Sequence, residues 1–173
     1  MQKGQEIPPA QAPYYPQVGS ALYAWTFNLD VDGIGLSGVS GKQVLEGEET
    51  KRRRELALDA LAEMLDNKVF GAKLTRFTPF IDYEVIVASA SKQLKFTVSP
   101  PVLQLRSFLA ETVNRASRAL EDVKGSDIKV LIWCKEEPVK KLADQIVANK
   151  NFAEIVVSDS VRDLFNKLKA FAL

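Results

Sequence analysis

Apolar and polar positions alternate over residues 20–29. Tyr23, Trp25, Phe27 and Leu29 fall on one side of an extended chain, and Ala24, Thr26 and Asn28 on the other. That two-residue period predicts a β-strand. Asp32-Gly33 supplies a hairpin turn, and a second strand from Ile34 to about Val39 follows, weakened by Gly35 and Gly38. From about Glu49 to Asp66 the period becomes helical, with Leu58, Leu61 and Leu65 joined by Ala57 and Met64 in an apolar stripe. Glu46, Glu48, Glu49 and Glu55 near its start suit the helix dipole. Three strand candidates come next: residues 69–77, 81–88 and 93–98. The last two are separated only by Ser89-Ala90-Ser91-Lys92 and read as a hairpin.

Ser99-Pro100-Pro101 predicts a helix start, with Ser99 as N-cap and Pro100 in the first turn. Leu105, Phe108, Leu109, Val113, Ala116 and Leu120 keep helical spacing toward a stop at Gly125. Residues 128–133 are apolar except for Lys129, the pattern of a strand covered on both faces. Pro138 opens another helix, residues 154–157 form a short strand, and Ser158 or Ser160 caps a last helix bearing Val161, Leu164, Phe165 and Leu168. The sum is an α/β fold with a mixed sheet. An N-terminal β-hairpin is followed by α-βββ-α-β-α-β-α, with helices on both faces. Residues 19–173 read as a single α/β domain. Residues 1–18 form a Pro-rich arm holding Pro8, Pro9, Pro13 and Pro16, which favour extended polyproline conformation. The arm is either a flexible leader or a segment that docks on a protein partner, or on another copy, through Tyr14 and Tyr15.

Composition removes whole classes of chemistry. The 173 residues are 46% hydrophobic, enough for a real core, and 23 basic residues against 22 acidic ones leave a net charge of +1 that nominates no partner. With no histidine, Ser-His-Asp and Cys-His catalysis and histidine-ligated zinc are excluded. The lone Cys134 excludes an intrachain disulfide and reads as a core residue. No stretch has the length of a membrane span or the apolar core of a signal peptide, so no membrane partner is expected. A cytoplasmic setting is expected, or an intracellular host compartment for a viral protein.

Two motifs invite chemistry and fail. The loop Gly35 to Gln43 resembles a phosphate-binding loop, but Leu36 stands where its first glycine is needed, and Gln43 where a hydroxyl must reach magnesium. Asp30-Val31-Asp32-Gly33 lacks the further oxygen ligands of a calcium loop, and a turn explains it.

The hairpin expected over residues 81–98 carries the remaining candidate site. Asp82, Glu84, Gln93, Lys95 and Thr97 share one of its faces. If the loop spans residues 87–90, Asp82 lies opposite Lys95; if it spans residues 89–92, Lys95 pairs with Ile86 instead. Carboxylates with a lysine suit metal-assisted phosphodiester hydrolysis, which needs no histidine. Such a face is also what a solvated or salt-bridged sheet surface contains.

The order α–β–β–β–α–β, with an acid on one strand and Gln93-Leu94-Lys95 on the next, resembles the restriction-endonuclease-like nuclease superfamily. The resemblance implies Asp82 as a Mg2+ ligand, Gln93 as the second ligand, Lys95 as the catalytic lysine and Glu55 as an acid from the preceding helix. Gln93 departs from the family's usual carboxylate, and Glu84 is a further metal ligand if it shares the face. Arg106, Arg115 and Arg118 on the following helix, and Arg52, Arg53 and Arg54 beside Lys51, are candidate contacts to DNA or RNA. The alternatives are a non-enzymatic assembly or accessory module acting through residues 1–18 and the aromatic first strand, and a small-molecule site near Cys134, Lys135 and Ser158.

Overall fold

A computed structural model describes residues 21–67, 81–92, 95–122, 127–150 and 152–173. Their elements run α1 (Gly47–Asp66), β1 (Val85–Ser91), α2 (Leu105–Asp122), β2 (Ile128–Cys134), α3 (Glu137–Ala148), β3 (Ile155–Val157) and α4 (Val161–Ala172).

β2 is the axis of the sheet. Ile128, Val130, Leu131, Ile132 and Cys134 are all buried, so both of its faces and both of its edges must be covered. β1 pairs with it antiparallel, from Val85 opposite Cys134 to Ser91 opposite Ile128. β3 pairs with it parallel, from Val130 opposite Ile155 to Ile132 opposite Val157, so β2–α3–β3 is a crossover unit. The strand order is β1-β2-β3.

Side-chain alternation sends the strands' residues into two cores. Ile128, Val130, Ile132 and Cys134 pack with Phe108, Leu109, Val113 and Ala116 of α2 and Ala143 of α3. Leu131, with the half-buried Ile86, Ala88 and Trp133, packs against Leu58, Ala62 and Leu65 of α1 and Leu164, Phe165 and Leu168 of α4. Each fully buried aliphatic side chain contributes about 1.5–3 kcal/mol relative to exposure. The outcome is the expected mixed α/β fold with helices on both faces. No described helix is long and apolar enough to cross a membrane.

Helix ends follow local chemistry. The Ser160 hydroxyl accepts from the Asp163 N–H, a standard N-cap for α4. α4 runs antiparallel to α1, because Arg162 meets Glu63 and Asp66 while Lys169 meets Asp59. Exposed pairs of this kind contribute little stability, and they report register instead.

Several expected elements take another form. The middle strand begins at Val85, not Ile81, and its partner is β2, not residues 93–98. The reason is that β1 is apolar on both faces: Val85 and Val87 face one core, Ile86, Ala88 and Ala90 the other. Placed beside the buried β2, both sets find cover; in a hairpin with one polar face, one set would not. Residues 95–100 have no regular structure. They stay near β1 through side chains, with Ser91 Oγ accepting from the Phe96 N–H (3.1 Å) and Ser89 Oγ donating to the Phe96 carbonyl (3.5 Å).

Among the described residues the N-terminal hairpin is also absent. Residues 21–30 form no strand, and the second strand shrinks to one bridge between Leu36 and Gln43. Gly35 (φ 96°) and Gly41 (φ 64°) turn the chain back too tightly for a ladder. α2 starts at Leu105, and the buried Ser99 accepts from the Arg115 guanidinium (2.9 Å) rather than capping a helix. The strand expected at residues 69–77 and the arm 1–18 lie outside the described residues.

Candidate functional site

A groove of about 2030 Å3 runs beside β1. Leu58, Leu61 and Leu65 of α1 and Phe165 and Phe171 of α4 line it from one layer, and Phe108 of α2 from the other. It therefore follows the outer edge of β1, which has no strand partner among the described residues. Residues 21–32 form its opposite wall.

That wall is unusually apolar for exposed chain. Tyr23 is 81% exposed, Trp25 52% and Phe27 45%. The alternation that predicts a strand does put Trp25 and Phe27 on one side, and their ring centroids lie 4.7 Å apart, tilted by 31°.

The two ends of the groove differ in charge. Asp82 and Glu84 precede β1, and both are exposed. The Asp82 carboxylate pairs with Lys135 Nζ (2.5 Å), and the Glu84 carbonyl accepts the Lys135 N–H (3.0 Å). The hydrogen bond and charge of Asp82 push the Lys135 ammonium pKa up. At the other end, the Lys92 ammonium stands over the Phe171 ring, 5.0 Å from its centroid. Lys95 is exposed beside it in sequence and has no partner among the described residues.

The expected nuclease residues are thus placed as follows. Lys95 adjoins Phe96, which is tethered to the C-terminal half of β1, whereas Asp82 lies beyond its N-terminal end. At the rise of a strand they are on the order of 20 Å apart. The structure does not bring them together, and Lys135 holds the Asp82 carboxylate instead. Gln93 lies outside the described residues. Glu55 is half-buried on α1. Among the described residues no group of three His, Cys, Asp or Glu side chains is placed to hold a metal ion.

The basic run on α1 mostly turns onto its own chain. Arg52 and Arg53 both bond the Glu49 carboxylate, at 2.8 and 2.7 Å. Hydrogen bonds from Arg52 and then Arg53 hold the Glu49 carboxyl down at about 2. Arg54 donates to the Asp32 carbonyl (3.2 Å) and faces its carboxylate (3.4 Å). Arg115 holds Ser99 and lies over the Phe96 ring. Arg106 and Arg118 are exposed on α2 with no partner among the described residues. The sequence marks Lys135 only for a small-molecule site with Cys134 and Ser158, and Lys92 only as a loop residue. Neither is expected as the partner it is here, Lys135 of Asp82 and Lys92 of the Phe171 ring. Lys135 directly follows the most buried strand, a position that delivers a side chain to the sheet's end.

Cys134, by contrast, is closed off. Burial first, then the Asp144 charge, raises its thiol to about 11, partly offset by Lys140. A raised thiol pKa contributes stability that is complete below the ordinary value of 9.0 and lost as pH rises through about 11. Near neutral pH the expected outcome is negligible labelling of the native protein by an aromatic disulfide reagent and full labelling in denaturant. Rapid labelling of the native protein would contradict this burial.

Comparison with known proteins bears on the same stretch of chain. Residues 1–113 match the family described as CRISPR-associated negative auto-regulator DevR/Csa2. A CRISPR-associated protein Cas7/Csa2 of Saccharolobus solfataricus is 34% identical over 99 residues, covering 57% of this chain and 30% of the relative. A second protein of that organism, the CRISPR-associated aCascade subunit Cas7/Csa2 2, is 28% identical over 127 residues, covering 71% of this chain and 38% of the relative. The chain thus spans about a third of the length of these curated relatives. No solved structure matches.

These matches overturn the resemblance to restriction-endonuclease-like nucleases. That resemblance rested on element order and on a hairpin joining Asp82 to Gln-x-Lys, and β1 pairs with β2 instead. With residues 1–113, nearly two thirds of its length, matched, the chain belongs to the DevR/Csa2 family of CRISPR-associated proteins.

Proposed function

We propose that this chain is a nucleic-acid-binding component of a multi-protein CRISPR-associated assembly, acting by binding and association rather than by cleavage. The observation that carries the reading is the family match over residues 1–113, joined to a relative that is itself an aCascade subunit and aligns over 71% of this chain. Two features of the fold support it. An open groove combines exposed aromatic rings with Lys95, which has no partner among the described residues, a surface suited to a nucleic acid. The Asp82 carboxylate, which a Mg2+ mechanism would need free, is spent on Lys135. RNA is the favoured ligand within such an assembly, and residues 1–18 remain the proposed arm for contact with a protein partner or a further copy.

The test is binding of the full chain to labelled RNA and DNA, with and without magnesium, across a salt series. Salt-sensitive retention without cleavage is expected. About three phosphate contacts imply a loss of roughly 20-fold in affinity between ~50 and ~200 mM salt. Absence of binding at the lowest salt would remove the reading, and magnesium-dependent product fragments would restore a cleavage role.

A further inference from the structure

We propose that residues 23–29 act as a strap that closes onto the outer edge of β1 as a fourth strand, so that its opening and closing decide whether the groove is accessible. This goes beyond the binding reading above and does not depend on it.

The first observation is the edge itself. The Glu84 carbonyl accepts the Lys135 N–H (3.0 Å) and the Asp127 carbonyl accepts the Lys92 N–H (3.1 Å), one at each end of the β1–β2 ladder. In an antiparallel pair, residues whose backbone groups face the partner alternate with residues whose groups face away. Counting from either end, Ile86, Ala88 and Ala90 turn theirs to β2, so Val85, Val87, Ser89 and Ser91 turn theirs outward. Among the described residues no strand meets them. Such a row of donors and acceptors is a template for another strand.

The second observation is the phase of the strap. Val31 packs against the core of α1 and α4. Counting back from it by twos reaches Leu29, Phe27, Trp25 and Tyr23. A strand continuing from Val31 therefore carries all four toward Leu61 of α1 and Phe165 and Phe171 of α4, which line that side of the groove. Ala24, Thr26 and Asn28 go to the other side, where Phe96 and Phe108 already stand and small side chains suit the space. In the open arrangement every residue from 21 to 30 is exposed. Closure takes the four large side chains out of water, which opposes the entropy of ordering the strap.

The third observation is reach and direction. Asp66, in the last turn of α1, shares a small pocket with Asp82, just ahead of β1. The start of α1 therefore lies toward the Ser91 end of β1. Arg54, in the first half of α1, holds Asp32. The strap is thus anchored near the Ser91 end and runs alongside β1 in the same direction. Its seven residues match the seven of β1. Strap, α1 and β1 then repeat the parallel connection made by β2, α3 and β3. A strand from a second copy lacks this anchor, and the high local concentration of a tethered segment favours closure within the chain.

The experiment uses the full chain carrying Trp133→Phe, so that Trp25 is its one tryptophan. Three chains are compared: this one, one with a single alanine inserted between Leu29 and Asp30, and one with two. One extra residue sends the aromatic side chains to the opposite face, and a second returns them. Acrylamide is expected to quench Trp25 several-fold less in the first and third chains than in the second. Hydrogen exchange reads the same event on β1, with the Val87 and Ser89 amides about 10-fold slower in the first and third chains. Continued protection of the Val130 and Leu131 amides in all three shows that the sheet has not unfolded.

Trp25 as quenchable in the first chain as in urea would overturn the strap, and that comparison decides the question even if the single insertion unfolds the sheet. Equal quenching and exchange in all three chains would overturn it too, and protected Val87 and Ser89 amides would then mean that another part of the chain covers the edge. Protection that rises with protein concentration would refute closure within the chain and assign the edge to a second copy.

Discussion

Replacing Leu131 with alanine lowers the unfolding free energy by about 3 kcal/mol, within the range of leucine truncations in closed cores. Leu131 is fully buried at the middle of β2, pairing across the ladders with Ala88 and Val156. Its side chain enters the core shared by Leu58 and Leu65 of α1 and Leu164, Phe165 and Leu168 of α4. Backbone hydrogen bonds on both sides hold the strand, so the sheet cannot move in to fill the space left behind. A loss of this size is a large part of the total stability of an ordinary domain. Urea unfolding should show a lower midpoint at unchanged slope. Leu22→Ala, at a side chain 71% exposed, should leave the midpoint in place. A shift below about 1 kcal/mol for Leu131→Ala would mean that β2 is not the closed centre described above.

Gly35→Ala is expected to cost about 2 kcal/mol, for two separable reasons. Gly35 has φ 96°, where a side chain is strained, and an added Cβ would lie 2.8 Å from Thr50 Oγ1 and 3.0 Å from its Cγ2. Thr50 is itself buried at the first turn of α1 and cannot swing into solvent freely. The Gly35 carbonyl also accepts the Val44 N–H (2.9 Å), which ties the loop to the chain returning toward α1. Two further glycines divide the effect. Gly41 (φ 64°) has open space around it, so Gly41→Ala meets strain alone and should cost about half as much. Gly38 has neither constraint, and Gly38→Ala should be neutral or stabilising by a few tenths of a kcal/mol. Equal melting temperatures for all three variants would refute the close approach between this loop and α1.

The helices and β2 were legible because each is specified by a local period. Leu58, Leu61 and Leu65 recur at helical spacing, and residues 128–134 are apolar almost without break. The family resemblance failed for a related reason. Element order can be read from periods, but pairing cannot, and it was pairing that the proposed Asp82–Lys95 contact required. In the fold, the Asp82 partner is Lys135, 53 residues away, at the end of a strand that Asp82 does not adjoin in sequence. The arginine run shows the same divide on a smaller scale. Its candidate role as a phosphate patch was visible as four adjacent bases, but Glu49 and Asp32 draw in three of them.

From the linear chain alone came the exclusion of imidazole chemistry, the mixed α/β class, the helix positions and the shared side of Trp25 and Phe27, since composition and local period carry these directly. Only folding chose the neighbours of β1, the open groove along its edge and the charge partners at its two ends. Strand pairing and ion pairing join residues tens of positions apart, and they are settled by which arrangement covers both apolar faces of β1 and β2 at once.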